Sequence, residues 1–258
     1  MMEQVKPKKH LGQHFLKDLQ IAARIASLLS GHGGYRKVLE IGAGMGVLTQ
    51  FLASSAAYQL HIAEIDPDSI AYLQKMSYVP AERLHHVDFL DMHLDEIAKG
   101  EPLALIGNLP YNISSQIFFK LLENRHFISE MVCMIQKEVA MRIAAKPGGK
   151  EYGILSVLLQ AFYDIQYAFT VHEHVFQPPP KVKSAVITLR RNAVEKLSCN
   201  EAQFFTVVKT AFNQRRKTLR NALKPLGIPV AIAGHPLLAK RAEQLGVAEF
   251  VALTQMLQ

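Results

Sequence analysis

Between positions 37 and 190, short apolar segments alternate with longer stretches in which apolar residues recur every three or four positions. A chain patterned this way builds βαβ units, because a parallel strand reaches its neighbour only through a crossover, usually a helix. The spacing predicts strands at 38–42, 60–65, 84–88, 103–108, 131–136, 165–171 and 184–190. Helices are expected near 46–57, 68–76, 114–123, 137–145 and 153–163, after an earlier one over 21–29 capped by Asp18. Only the proline-rich turn FQPPPKV (176–182) separates the last two strands, so an antiparallel hairpin is expected at that edge. Beyond Arg191 the strand signals stop, and Phe204, Phe205, Val208, Ala211 and Phe212 share one helical face. Short helices follow over 236–245 and 248–257. The expected division is an α/β domain over 1–192, opening with a basic arm over 1–17, and a small all-α domain over 193–258.

Composition narrows the classes. No apolar run approaches the length of a membrane span, and the opening MMEQVKPKKH lacks the apolar core of a secretory signal. Cys133 and Cys199 stand far apart without a CxxC spacing, which argues against a zinc site and a disulfide framework and fits a reducing cytoplasm. The formal charge of +7 favours a polyanionic partner. That charge is uneven: 20 basic and 18 acidic side chains precede position 193, against 9 and 4 after it.

Four motifs end on predicted strands. In EIGAGMGVLT (40–49), Gly42, Gly44 and Gly46 give a G-x-G-x-G loop rather than the G-x-G-x-x-G of a dinucleotide site. Glu40 beside it would repel phosphate and suit a cationic ligand end, which favours S-adenosylmethionine; a phosphate ligand or a plain βα turn stays open. Glu64, about 20 residues on, is placed to accept from both hydroxyls of a ribose, and Asp66 reads as the N-cap of the next helix. Asp88 in VDFLD (87–91) is an acceptor for an adenine amine or a cap. GNLPY (107–111) offers the Asn108 side-chain oxygen and the Leu109 carbonyl to the hydrogens of an exocyclic amine. Pro110 stiffens the backbone, and Tyr111 gives a stacking face for a flipped base. The competing reading makes Asn108 a turn cap and Tyr111 core.

Two further segments lie off those strand ends. FQPPPKVKSA (176–185) would leave Phe176 at the tip of a stiff loop, able to close on the other face of the base, unless it is an ordinary rigid turn. AFNQRRKTLRNALK (211–224) holds Arg215, Arg216, Lys217, Arg220 and Lys224 with no acid, which favours RNA phosphates over a solvated helical face. The histidines have no ligand-spaced partners, so no metal is expected.

Together these segments resemble the bacterial small-subunit ribosomal RNA adenine dimethyltransferases, the family of the kasugamycin-resistance enzyme. GQHFL (12–16), EIGAGMGVLT, AEID (63–66), VDFLD, GNLPYNIS (107–114), IQKEVAMRI (135–143), YGILSVLLQ (152–160), VFQPPPKVKSAV (175–186) and AFNQRRKTLRNAL (211–223) match in order. The resemblance implies a Rossmann-like S-adenosylmethionine-dependent methyltransferase sheet. It also implies transfer of methyl groups to N6 of two adjacent adenosines in the 3′-terminal hairpin of 16S rRNA, within the small ribosomal subunit during its assembly. Carried over by position, His14, Leu16, Gly42, Glu64, Asp88 and Asn108 contact the cofactor, together with Glu40 and Gly44 of the glycine loop. Ile65 and Phe89 border its adenine, and Asn108, Leu109, Pro110, Tyr111 and Phe176 hold the target base. His14 stands where the family often has asparagine, and Ala43 where it often has proline. The erythromycin-resistance methylases of large-subunit RNA look similar through GNLPY but less so through QRRKTLRNAL (214–223). Two other classes remain, a non-catalytic RNA-binding assembly factor with this fold and a nicotinamide dehydrogenase; an intact GNLPY speaks against the first and the loop spacing against the second. A cytoplasmic monomer without membrane contact is expected.

Overall fold

A computed structural model describes residues 5–258; the first four residues of the expected arm lie outside it. The strands are β1 (Phe15–Leu16), β2 (Lys37–Ile41), β3 (Gln59–Glu64), β4 (Leu84–His86), β5 (Leu103–Asn108), β6 (Ile128–Gln136), β7 (Tyr163–Val171), β8 (Phe176–Gln177) and β9 (Ser184–Arg191). Seven of them form one sheet in the order β4-β3-β2-β5-β6-β9-β7. Pairing is parallel from β4 through β6, and β9 runs antiparallel to β6 from Glu130↔Arg190 to Gln136↔Ser184. The last two long strands are therefore neighbours, as expected, but β9 is inserted between β6 and β7. Residues Leu103 to Gly107 of β5 are all buried, which is why that strand reads as an unbroken apolar run rather than an alternation.

The strand order reverses between β2 and β5, and at such a reversal the crossover helices diverge and leave a crevice beyond the strand ends. Glu40, Glu64 and Asn108 all lie at or next to those ends, on β2, β3 and β5. The helix expected over 46–57 shrinks to Thr49–Ala53. Gly42, Gly44 and Gly46 have φ of 69°, 55° and 74°, left-handed values that an α-helix excludes. Helices at Leu19–Ala26 and Pro67–Met76 begin on the expected caps, Asp18 and Asp66, whose carboxylates accept from Ile21 and Asp68 amides.

Contacts group the residues up to Ala140 with Ile165–Arg191 in one compact unit, and Met141–Asp164 with Asn192–Gln258 in another. The expected cut at 192 thus misses an excursion of the chain. Within the second unit, the helix Ile154–Gln160 buries Val157, Leu158 and Leu159 and packs on the helices Glu201–Asn213 and Val247–Met256. The Tyr152 ring meets Phe212 there as well. Apolar demand, not chain order, assigns this segment. The helix expected over 236–245 is instead a pair of 3-10 turns, Pro236–Ala239 and Ala242–Gln244. Both cysteines are buried and free. Among the described residues no helix is long and apolar enough to cross a membrane, and no cluster of metal-ligating side chains occurs.

Candidate active site

A cleft of about 220 Å3 opens beyond the ends of β2 to β5. Of the residues expected there, His14, Gly42, Gly44, Glu64, Ile65, Asp88, Phe89, Asn108, Leu109, Pro110 and Tyr111 line it. Glu64 is buried, and its two oxygens are each held by one backbone amide, Oε2 by Gly44 at 2.8 Å and Oε1 by Asp66 at 2.9 Å. Burial pushes its carboxyl up, and the backbone amides of Asp66, Gly44 and Ile65 partly offset that. A carboxylate oxygen accepts more than one hydrogen bond, so each retains capacity for a ribose hydroxyl. Gly42, with nothing near the place of a Cβ, leaves the loop backbone open. Asp88 acts as a cap, its Oδ1 accepting from the Leu90 amide at 2.9 Å, and the residue lines the cleft. Ile65, with 42% of its surface exposed, and buried Phe89 add apolar wall.

Asn108 is oriented by a contact with the N-terminal segment. Its Nδ2 donates to the His14 carbonyl at 2.9 Å, which leaves Oδ1 as the acceptor. Gly107 before it must be glycine, because a Cβ would stand 2.5 Å from the Ile41 carbonyl oxygen on β2. The Tyr111 hydroxyl shares a 2.5 Å hydrogen bond with Ser184 Oγ, and its ring stacks on the His14 imidazole with centroids 5.5 Å apart. One face of Tyr111 is therefore already covered. His14 Nδ1 donates to the Pro178 carbonyl at 2.8 Å, so this histidine ties together three segments of the chain.

Three expected positions differ. Phe176 is not at a loop tip: it is 1% exposed, pairs with Leu16 in the short β1–β8 ladder and belongs to the apolar core. A proline-stiffened loop still needs an anchor, and the ring that burial favours most supplies it. Leu16 is buried beside it and lines a separate cavity of about 40 Å3, as does Glu40. Glu40 accepts from Thr49 Oγ1 at 2.7 Å, and burial, with some repulsion from Glu64, pushes its pKa up to about 8. Burial thus favours the neutral acid, which weakens the repulsion of phosphate that the sequence suggests.

Residue types alone did not announce the strap over the cleft. Lys8 Nζ reaches Asp66 and Asp68 at 2.5 and 2.8 Å, and Gln13 Nε2 donates to Asp66 at 3.0 Å. Burial works to raise the Asp66 carboxyl, but the bonds from Lys8 and Gln13 outweigh it and hold it below the usual range. The Phe15 ring lies where a Cβ on Gly44 would stand, 2.8 Å away, so strap and loop require each other. The GQHFL motif was the available signal; the partners of Lys8, Gln13 and Ser184 are too remote in sequence to be read.

In the second unit the basic run is not one helical face. The helix Glu201–Asn213 ends before it, and a turn leads to Leu219–Ala222. Arg216, Lys217, Arg220 and Lys224 are exposed. Arg215 is half-buried and donates through Nη2 to the Gly149 and Tyr152 carbonyls at 3.2 and 3.0 Å, so it braces the unit rather than facing solvent with the others.

Comparison with known proteins agrees with this geometry. A family model described as ribosomal RNA adenine dimethylase matches residues 4–250. The chain is 56% identical over 256 residues to the ribosomal RNA small subunit methyltransferase A of Cytophaga hutchinsonii, covering 99% of each. Among solved structures it is similar to a dimethyladenosine transferase from Plasmodium falciparum, with a TM-score of 0.77 and 25% identity over 93% of this chain and 96% of that one. It is also similar to the 23S rRNA methyltransferase ErmE, with a TM-score of 0.67 and 26% identity over 93% and 99%. A Rossmann-like sheet with its motifs on the strand ends, matched along nearly its whole length, makes this chain a member of the ribosomal RNA adenine dimethylase family.

Proposed function

We propose that the chain, a ribosomal RNA methyltransferase by family, uses S-adenosylmethionine to dimethylate N6 of two adjacent adenosines near the 3′ end of 16S rRNA in the small subunit. Family membership supports the reaction class, and 56% identity to a small-subunit enzyme against 26% to a large-subunit one supports the choice of substrate. The cleft residues fit the cofactor. Both Glu64 oxygens retain acceptor capacity for ribose hydroxyls, Asp88 for the adenine amine, and Ile65 and Phe89 flank an apolar slot. When bound, S-adenosylmethionine supplies an electrophilic methyl carbon on a sulfonium that leaves as a neutral thioether.

The work of the chain is done at the amine. An adenine amine is a poor nucleophile because its lone pair is delocalised into the ring. Asn108 Oδ1 and the Leu109 carbonyl each accept one of its hydrogens, which favours a pyramidal nitrogen with its lone pair free; the displaced proton passes to water. Tyr111 stacks on the extruded base with the face that His14 leaves open. Four exposed cations, Arg216, Lys217, Arg220 and Lys224, hold RNA phosphates. The enzyme acts as a monomer on ribosomes in the cytoplasm.

The observation that carries this reading is the bond from Asn108 Nδ2 to His14, because it turns the amide oxygen into a fixed acceptor. Tritiated methyl transfer to unmethylated small subunits tests it. The wild type is expected to label the two adenosines, and no incorporation, or full activity in Asn108→Ala, overturns the proposal.

A further inference from the structure

With Phe176 inside the core, the proline-rich loop has a different tip. The segment from Pro178 to Ser184 is tied at both ends to residues that line the cleft, Pro178 through its carbonyl to His14 and Ser184 through its hydroxyl to Tyr111. A third tie joins the Lys183 carbonyl to the Lys137 amide at 2.9 Å. Three prolines remove most of the remaining backbone freedom. The span is thereby fastened at both ends to side chains of the cleft wall.

Pro178, Pro179, Lys181, Val182 and Lys183 are the exposed residues of that span, and Val182 keeps 46% of its surface in solvent. A single exposed valine means little on most surfaces. Here it stands between two cations, two residues from Ser184, which bonds the base-stacking Tyr111. No acid occurs between Glu173 and Glu195 to neutralise the two lysines from within the loop. A base drawn from a stacked RNA strand leaves a gap whose neighbours lose a stacking partner. Proteins that deform nucleic acids often fill such gaps with apolar side chains. Valine, branched at Cβ, has few rotamers to lose when it does so.

We propose that Lys181–Val182–Lys183 is an RNA-engaging wedge: Val182 occupies the stacking place vacated by the target adenine, while Lys181 and Lys183 hold the flanking phosphates. The inference rests on the reading of the chain as an adenine methyltransferase and adds the device that keeps the base extruded.

The test uses unmethylated small subunits and a second set in which 2-aminopurine replaces the target adenine. That analogue brightens on unstacking and has no amine at the reactive position, so it reports extrusion without transfer. The wild type should methylate the first set and brighten the second. Val182→Ala should lower kcat/KM about tenfold, as loss of two buried methyl groups implies, and blunt the fluorescence rise at unchanged S-adenosylmethionine affinity, with Val182→Ile restoring both. Lys181→Gln with Lys183→Gln should make the log–log salt dependence of subunit binding shallower by about two. A Val182→Ala enzyme with full turnover and the full fluorescence rise overturns the wedge, as does an unchanged salt slope in the double variant. A wild type that methylates nothing takes down the parent reading instead.

Discussion

The cleft at the ends of β2 to β5 and the turn after Asn213 carry equally conspicuous motifs, yet they differ in how far residue type dictates geometry. In GNLPY, glycine is required by the 2.5 Å approach to the Ile41 carbonyl, proline sets the backbone, and the amide between them is pinned by His14. Little backbone freedom is left at the glycine and the proline, so the letters give the path of the chain there, while the remote His14 settles the facing of the amide. The basic run spreads five long cations over a turn and the short helices after it, and nothing local says which way each points. Arg215 turns in to satisfy two carbonyls while Arg216, beside it, stays in solvent. Charge announces a class of partner; only stiff residues announce a geometry.

If that contrast is right, single substitutions should separate the two regions. Asn108→Ala should cost the most, lowering kcat by a factor of about 10²–10³, as loss of one fixed polar group at a reacting centre does, with cofactor affinity changed far less. Single-turnover transfer with calorimetric binding checks this. In the basic turn, Arg215→Ala should lose about 2 kcal/mol of stability through its two charge-assisted bonds, seen as a lower urea midpoint. Arg216→Ala should leave that midpoint alone and make the salt dependence of RNA binding shallower by about one. The reverse pattern would erase the distinction between brace and contact.

A pH-dependent effect tests the small cavity that Glu40 lines. Glu40 titrates at about 8 when folded against 4.5 for a free carboxyl. Between those values the folded chain keeps a proton that the unfolded chain releases, so stability falls as pH rises through that window. Glu40→Gln keeps an acceptor for Thr49 and should flatten that fall, measured as urea midpoints at pH 5 and pH 8. The smallest effect belongs to the strap. Lys8→Met removes the partly exposed cation that pairs with buried Asp66 and exposed Asp68, and should raise the KM for S-adenosylmethionine by about threefold, a difference that narrows in high salt.

Much of the fold was legible because burial imposes periods that show in the letters. Strand β5 lies where its apolar run stands, and Asp18 and Asp66 cap their helices because a short acceptor before a helical period has few other roles. Legibility failed where the decisive partner is remote. Phe176 reads as a tip from its prolines but packs with Leu16, and residues 141–164 join the helical unit because of apolar contacts about 50 to 100 positions away. Glu40 shows the limit for electrostatics: a letter names an acid, whereas its charge depends on what surrounds it.

The order of short apolar runs, the three glycines and the proline of GNLPY determined a parallel sheet with a ligand crevice and an amide at its mouth, because these residues act through their own backbone. Tertiary structure alone decided which way that amide faces, which arginine is consumed as a brace, how readily Glu40 carries a charge, and that Val182 rather than Phe176 is exposed. Each of those depends on a group brought close by folding, and the energies of contact and desolvation that settle them are not properties of any single residue.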